Sequence, residues 1–328
     1  MRQARGFLLL SLGHALILAL LTAGVSEVQC QAKYPTRPID VIVPYAPGGG
    51  TDLSARVMTA YLSKRWNVPI NVINKPGGNT IPACLETYKA RPDGYTVMQD
   101  GLGSGPMLEA VLKEIPFKIL DRSFIGIFTA VAMVIVVPPN SPIKSLKDLE
   151  TEAKNDPGSF TWTSLGGAAA QDYTTRKFFK VLGVDVSKTK PVMSQGASQA
   201  IVLTAGGSVK MGVASTSASL PAVRGGTVRP IAITSSTRHP DFPDVPTSAE
   251  QGYPAVNTQD RYGPSGPPAL PSDIVDTWEN ALKEMVKDPE VISKLRNIGQ
   301  VPFYRSARET REIVIGEIEE LKELWGRK

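Results

Sequence analysis

Histidine and cysteine are nearly absent, two of each in 328 residues. His14 and Cys30 fall in the first thirty positions, which leaves Cys84 and His239 for the rest of the chain. One cysteine makes no internal disulfide, and Cys84 reads as a small buried apolar residue. His239 stands in Arg238-His239-Pro240-Asp241-Phe242-Pro243, a polar loop broken by proline. Without a second histidine or a cysteine pair, neither a zinc site nor a Ser-His-Asp triad can be assembled around it. Aromatic residues make up only 7% of the chain, and no Lys/Arg cluster is interleaved with them, which excludes a nucleic-acid reader. Asp52, Asp100, Asp172 and Asp260 are the carboxylates that paired acid-base chemistry would need, but helix-cap and loop positions account for each. A hydrolase or lyase built on these aspartates stays open as a third reading, but the scarcity of histidine and cysteine argues against it, and we expect no enzyme, no metal and no cofactor.

The N-terminus is informative. Arg2 and Arg5 precede an apolar run from Phe7 to Leu21, and small or polar residues follow, the pattern of a signal peptide. The run is too short for a membrane span with stop-transfer flanks. We expect residues 1–32 to be removed by a cut after Ala32 in Cys30-Gln31-Ala32, and the mature chain to be periplasmic. Of 36 basic and 31 acidic residues, Arg2, Arg5 and Glu27 precede that cut, so the net charge falls from +5 to +4. This mild excess suits anionic solutes. A mature chain of about 296 residues exceeds what one hydrophobic core usually organises, so two domains are expected.

From Ile39 onward short β-rich runs alternate with amphipathic stretches, the signature of α/β units. Strands are predicted at 39–43, 69–73 and 96–98, with helices at 52–66 and 82–90. The spacing of Leu53, Val57 and Tyr61 marks the buried face of the first helix. The run from Phe124 to Val137 is too long for an ordinary strand and is predicted to cross from one domain into the other. A second set follows, with helices at 147–155, 171–182 and 198–205 and strands at 160–164, 191–193, 209–214 and 229–234. Long C-terminal helices carry Ile274, Trp278, Leu282 and Met285, then Val314, Ile318, Leu321 and Trp325, on one face each.

Two turns stand out. Pro44-Tyr45-Ala46-Pro47-Gly48-Gly49-Gly50-Thr51-Asp52 joins the first strand to the first helix. Its glycines let a ligand approach the backbone, and the helix start offers N–H donors to an anion, with Thr51 or Asp52 as N-cap. It lacks the Gly-Lys-Ser/Thr of a Walker loop and the spacing of a dinucleotide site. Ser164-Leu165-Gly166-Gly167-Ala168-Ala169-Ala170-Gln171-Asp172 repeats the logic in the second half, so the two turns would face each other across a cleft. A third turn, Asp100 to Gly105, is open to either a binding or a plain loop reading.

At this point the residues resemble a known family, the solute receptors of tripartite tricarboxylate transporters, or Bug proteins. Tyr34-Pro35-Thr36-Arg37-Pro38, Val43 to Asp52, Asn74-Lys75-Pro76-Gly77-Gly78-Asn79, Pro92-Asp93-Gly94-Tyr95, Ser145 to Leu149, Asp244-Val245-Pro246-Thr247 and Asp288-Pro289-Glu290-Val291 stand in the family's order. The resemblance implies an α/β, two-domain periplasmic-binding-protein fold, type II-like, with the ligand cleft between domains. We expect domain 1 at 33–130 plus 254–328 and domain 2 at 131–253.

It also implies a small organic carboxylate as ligand (a di- or tricarboxylate or an aromatic carboxylate) and membrane permease subunits as partners, the receptor acting as a monomer. A periplasmic sensor presenting the same ligand to a signalling receptor is the alternative. Carried over position by position, the ligand-binding residues are Tyr45, Gly49, Gly50, Thr51 and Asp52, then Ser164, Gly166, Gly167, Ala168, Ala169, Gln171 and Asp172.

The departures bear on specificity. The family's serines and histidine are replaced by Ala168 to Asp172, its Tyr-Lys-Gly by Ser194-Gln195-Gly196, its Asp-Asn-like pair by Ala214-Ser215, and an aromatic by Arg261 beside Tyr262. Backbone amides must then do more of the holding. Arg261 is expected at the cleft mouth, where a guanidinium grips a distal carboxylate by two parallel hydrogen bonds, or else in an ion pair with a neighbouring acid. Asp172 is a candidate partner for a ligand ammonium, and Tyr45 and Tyr262 would suit a flat ring.

Overall fold

The computed structural model describes residues 34–167 and 169–326. The expected signal peptide and Ala168 lie outside the described residues. Residues from Arg37 onward cluster as one unit, and that unit is described here.

The first half opens with β1 (Ile39–Val43), α1 (Gly50–Trp66), β2 (Ile70–Asn74), α2 (Ile81–Tyr88) and β3 (Thr96–Asp100). β1 lies between β2 and β3, parallel to both. Parallel strands need covered faces, hence the apolar Ile-Asp-Val-Ile-Val of β1, buried at every residue but Asp40. In α1 the buried side is Thr51, Ser54, Ala55, Met58 and Leu62. This corrects the face read from Leu53, Val57 and Tyr61, which are only half-buried. Small Ser54 and Ala55 allow the helix to sit close to the sheet, where Gln99 donates to Ser54 at 3.0 Å. Val57 and Tyr61 instead border a groove shared with Glu290, Val291 and Lys294.

After α3 (Pro106–Val111) and β4 (Arg122–Phe124) comes β5 (Ile127–Val137), buried throughout. The predicted single strand 124–137 is thus interrupted at Ile125-Gly126. There Gly263 of a later strand packs so tightly on the Gly126 carbonyl that no Cβ would fit. β5 serves two sets of neighbours. Its first half runs antiparallel to β10 (Gln259–Pro268) and β11 (Val301–Arg305), its second half to β8 (Gly212–Ser215) and β9 (Arg229–Ile233). β10 changes neighbours as well, pairing with β5 over Gln259–Tyr262 and with β3 and β4 beyond. β5 therefore joins the strands of the first half to those of the second, with β10 running antiparallel beside its first part.

The second half holds α4 (Leu146–Asn155), β6 (Thr161–Ser164), α5 (Ala170–Leu182), β7 (Lys190–Met193), α6 (Ala197–Ala205) and α7 (Thr216–Arg224), with β6 and β7 parallel. Its core gathers Val134, Val136, Ile201, Leu220, Ile233 and Phe242. α8 (Ser272–Met285), α9 (Pro289–Asn297) and α10 (Ala307–Leu324) complete the chain, and Val314 and Ile318 of α10 join Ile42, Met98 and Phe124 in the first half's core. α4 and α10 each begin with a capping box, Ser145/Asp148 and Ser306/Glu309. Among the described residues no helix is long and apolar enough to cross a membrane.

Candidate functional site

Each Gly-rich turn is braced by the acid at the third position of the helix it introduces. Asp52 reaches back to accept the Gly48 N–H at 2.9 Å, and it also takes Arg56 Nε at 3.0 Å and Asn74 Nδ2 at 2.9 Å. Burial works against its charge, yet these donors hold its carboxyl below the usual range. Asp172 does the same in the second half, accepting Ser164 Oγ at 2.5 Å and the Leu165 N–H at 3.0 Å. It is fully buried, and burial pushes its carboxyl up. Gly166 and Gly167 have φ of 94° and 92°, a backbone region L side chains rarely adopt, and the Gly166 turn lies against Asn79 Oδ1 of the other half.

The braced turns face one cavity of about 330 Å³. Tyr45, Ala46, Pro47, Gly49, Gly50 and Thr51 line it from one side, and Leu165, Ala170, Gln171, Gln195–Gln199 and Ser215 from the other. Asp260 and Tyr262 enter from β10. Four helix starts meet here. α1, α5 and α6 begin after Gly49, Ala169 and Gly196, and none of these has a side-chain cap, so the first-turn N–H groups carry no internal partner. The fourth, α7, is capped by Ser215, which accepts from Ala218 N at 3.2 Å and shares a hydrogen bond with Ser217 at 2.9 Å. Among the described lining residues none carries a positive side chain, and Asp260 carries the one negative charge. A Cβ on Gly50 would meet Tyr262 Oη at 2.8 Å and Ser217 Oγ at 2.9 Å, so the two halves and β10 meet where only a glycine fits.

Of the residues singled out from sequence, Tyr45, Gly49, Gly50, Thr51, Gln171 and Tyr262 line this cavity. Asp52, Ser164, Gly166, Gly167, Ala169 and Asp172 stand one step behind it, shaping the turns, and Ala168 lies outside the described residues. Neither Thr51 nor Asp52 is the N-cap of α1; Gly49 is. Arg261 is not at the cleft. Side chains alternate along a strand, so Asp260 and Tyr262 face the cavity while Gln259 and Arg261 face a separate one behind it. There Arg261 Nη1 donates to Glu317 at 2.6 Å, and Lys177 Nζ to Glu320 at 2.6 Å. Burial drives the Glu317 carboxyl up to about 7 in spite of the guanidinium.

The Asp100–Gly105 turn is held internally. Asp100 accepts Ser104 Oγ at 2.6 Å and Ser265 Oγ at 3.0 Å and pairs with buried Arg122 at 2.9 Å. Cys84 is buried, and burial raises its thiol to about 11, far from thiolate chemistry at neutral pH. His239 lies in its loop, accepting the Asp241 N–H at 3.1 Å.

Sequence reasoning marked Gln195, Gly196 and Ser215 as positions bearing on specificity, and the structure sets all three on the cavity; it missed Ala197, Ser198 and Gln199. Gln195-Gly196-Ala197 is a third glycine turn ahead of a helix and carried the same signal as the two that were used.

Residues 54–326 match the model of the tripartite tricarboxylate transporter family receptor. The chain belongs to this family of solute receptors. It is 29% identical to Protein BugT of Bordetella pertussis, over 91% of each chain. Its fold matches MatC from Rhodopseudomonas palustris with bound malate (TM-score 0.82, 25% identity, 89% of this chain and 99% of that one). It equally matches an R. palustris protein with adipate (TM-score 0.82, 25% identity, 89% and 97%). The fold is therefore the two-domain α/β fold of periplasmic binding proteins, as expected.

Proposed function

We propose that this chain is an extracytoplasmic receptor that captures one small organic carboxylate in the 330 Å³ cavity and delivers it to the membrane permease subunits of a tripartite tricarboxylate transporter. The observation that carries this reading is the convergence of four helix starts, three without side-chain caps, on a cavity lacking any cationic side chain among its described lining. Main-chain N–H groups and helix dipoles are the donors such a site has for an anion. Two relatives of this fold hold malate and adipate, which supports a carboxylate ligand.

The lobes are 33–130 with 254–328, and 131–253, and they close by bending β5 and β10 where these change neighbours. Closure hides the ligand and shifts the population towards the form a permease recognises. The cycle needs no covalent chemistry, cofactor or metal. Arg261, turned from the cavity, plays no part in holding the solute.

The test is a thermal-shift screen of residues 33–328 against mono-, di- and tricarboxylates, with sugars and cations as controls. Binding to the folded state raises its apparent stability. Stabilisation by a carboxylate subset is expected; stabilisation by sugars or cations alone would refute the reading.

A further inference from the structure

The cavity holds an anion of its own. Asp260 lies on the cavity face of β10, and its Oδ1 accepts the N–H of Leu102 at 2.8 Å and of Arg261 at 2.9 Å. Tyr262 lies on the same face of the strand and lines the cavity beside it. A Cβ on Gly101 would come within 3.0 Å of Oδ1, so the main chain closes tightly around this oxygen. The carboxylate is thus fixed through Oδ1 by two main-chain donors, while a carboxylate has about four acceptor sites, so Oδ2 keeps acceptor capacity. The cation nearest in sequence, Arg261, points to the opposite face and is engaged by Glu317. A solute arriving with its own carboxylate therefore meets a second, immobile one that the protein does not neutralise with a side chain.

A plain dicarboxylate at this position would be repelled. A solute carrying a hydrogen-bond donor would instead bond to Oδ2. Resting on the receptor reading above, we infer that Asp260 is a specificity-determining residue and that the solute is a carboxylate bearing a hydroxyl or ammonium donor, set against Asp260 while the helix starts hold its carboxylate.

Calorimetric titration with three matched series decides this: propionate, lactate and alanine; succinate, malate and aspartate; glutarate, 2-hydroxyglutarate and glutamate. In at least one series the donor-bearing member should bind about tenfold or more tighter than the unsubstituted acid, the range of a hydrogen bond to a charged group. Preference for the hydroxy or the amino member identifies the donor. Asp260→Asn keeps an amide oxygen for Leu102 and Arg261, and its melting temperature verifies the fold. In this variant the unsubstituted acid should gain affinity and the donor-bearing one should lose it, bringing the two within about threefold. Equal affinity across every series in the parent chain, or an unchanged ranking in Asp260→Asn, overturns the inference while leaving the receptor reading intact. Failure of every carboxylate to bind removes both.

Discussion

Between pH 5 and pH 8 two buried carboxyls should cost the ligand-free protein stability. Burial raises Asp260 from 3.8 to about 6 and Glu317 from 4.5 to about 7. A carboxyl with a raised folded value binds its proton more tightly in the folded chain. Its stabilising effect is therefore complete below the unfolded value and fades as pH climbs through the folded one. Taken singly, moving from pH 5 to pH 8 removes roughly 1 kcal/mol at Asp260 and roughly 2 to 3 kcal/mol at Glu317. The two repel each other, and the Glu317 side chain is 20% exposed, so solvent screens part of its shift. Together they should contribute about 2 to 3 kcal/mol. His239 acts in the other direction, because burial lowers its value and stability falls as pH drops through its ordinary range near 6.5. Asp52, held low, matters only at more acid pH. Urea unfolding followed by circular dichroism at pH 5, 6.5 and 8 should thus compare the parent with Asp260→Asn/Glu317→Gln. The double variant should gain about 2 to 3 kcal/mol relative to the parent over that range. Parallel profiles for the two proteins would refute the reasoning.

Arg261→Ala should leave carboxylate affinity within about twofold by calorimetry, because the side chain faces away from the cavity. It should lower stability by about 1 to 3 kcal/mol in urea melts by leaving Glu317 without its partner. Gly50→Ala should weaken carboxylate binding about tenfold and lower stability by about 1 to 3 kcal/mol in urea melts, since its Cβ intrudes where buried Tyr262 and Ser217 meet. Trp162→Ala, which removes a side chain 2% exposed and its bond to Thr189, should cost about 3 to 5 kcal/mol in chemical denaturation and leave the helix content unchanged.

The two Gly-rich turns were legible because their function is written into backbone chemistry: glycine where φ is positive, a helix immediately after, and an acid three residues in. What that acid does was not legible. Asp52 and Asp172 have the composition of ligand contacts, and only the coordinates show them turned back onto Gly48 and Leu165. The β10 strand escaped detection because Pro264, Pro267 and Pro268 remove N–H groups and mimic a loop. Without its register, nothing in the sequence reveals that Asp260 and Tyr262 share one face and Arg261 the other, which is why the arginine was expected at the cleft. The long crossing strand was readable from its length and β-branched run. Its break at Gly126 was not, since it depends on Gly263, more than a hundred residues away.

The caps of α1, α5 and α6 are Gly49, Ala169 and Gly196, three residues with almost no side chain to lose. In an anion grip built on such positions the donors are main-chain atoms common to every amino acid, so a side-chain change away from the crowded Gly50 deletes none of them. If the helix starts hold the solute as proposed, the surrounding Gln171, Gln195, Gln199, Ser215 and Asp260 are free to drift without that grip being lost. Descendants of one such chain would be able to trade solutes through one or two exchanges at these five positions, each intermediate still a working receptor.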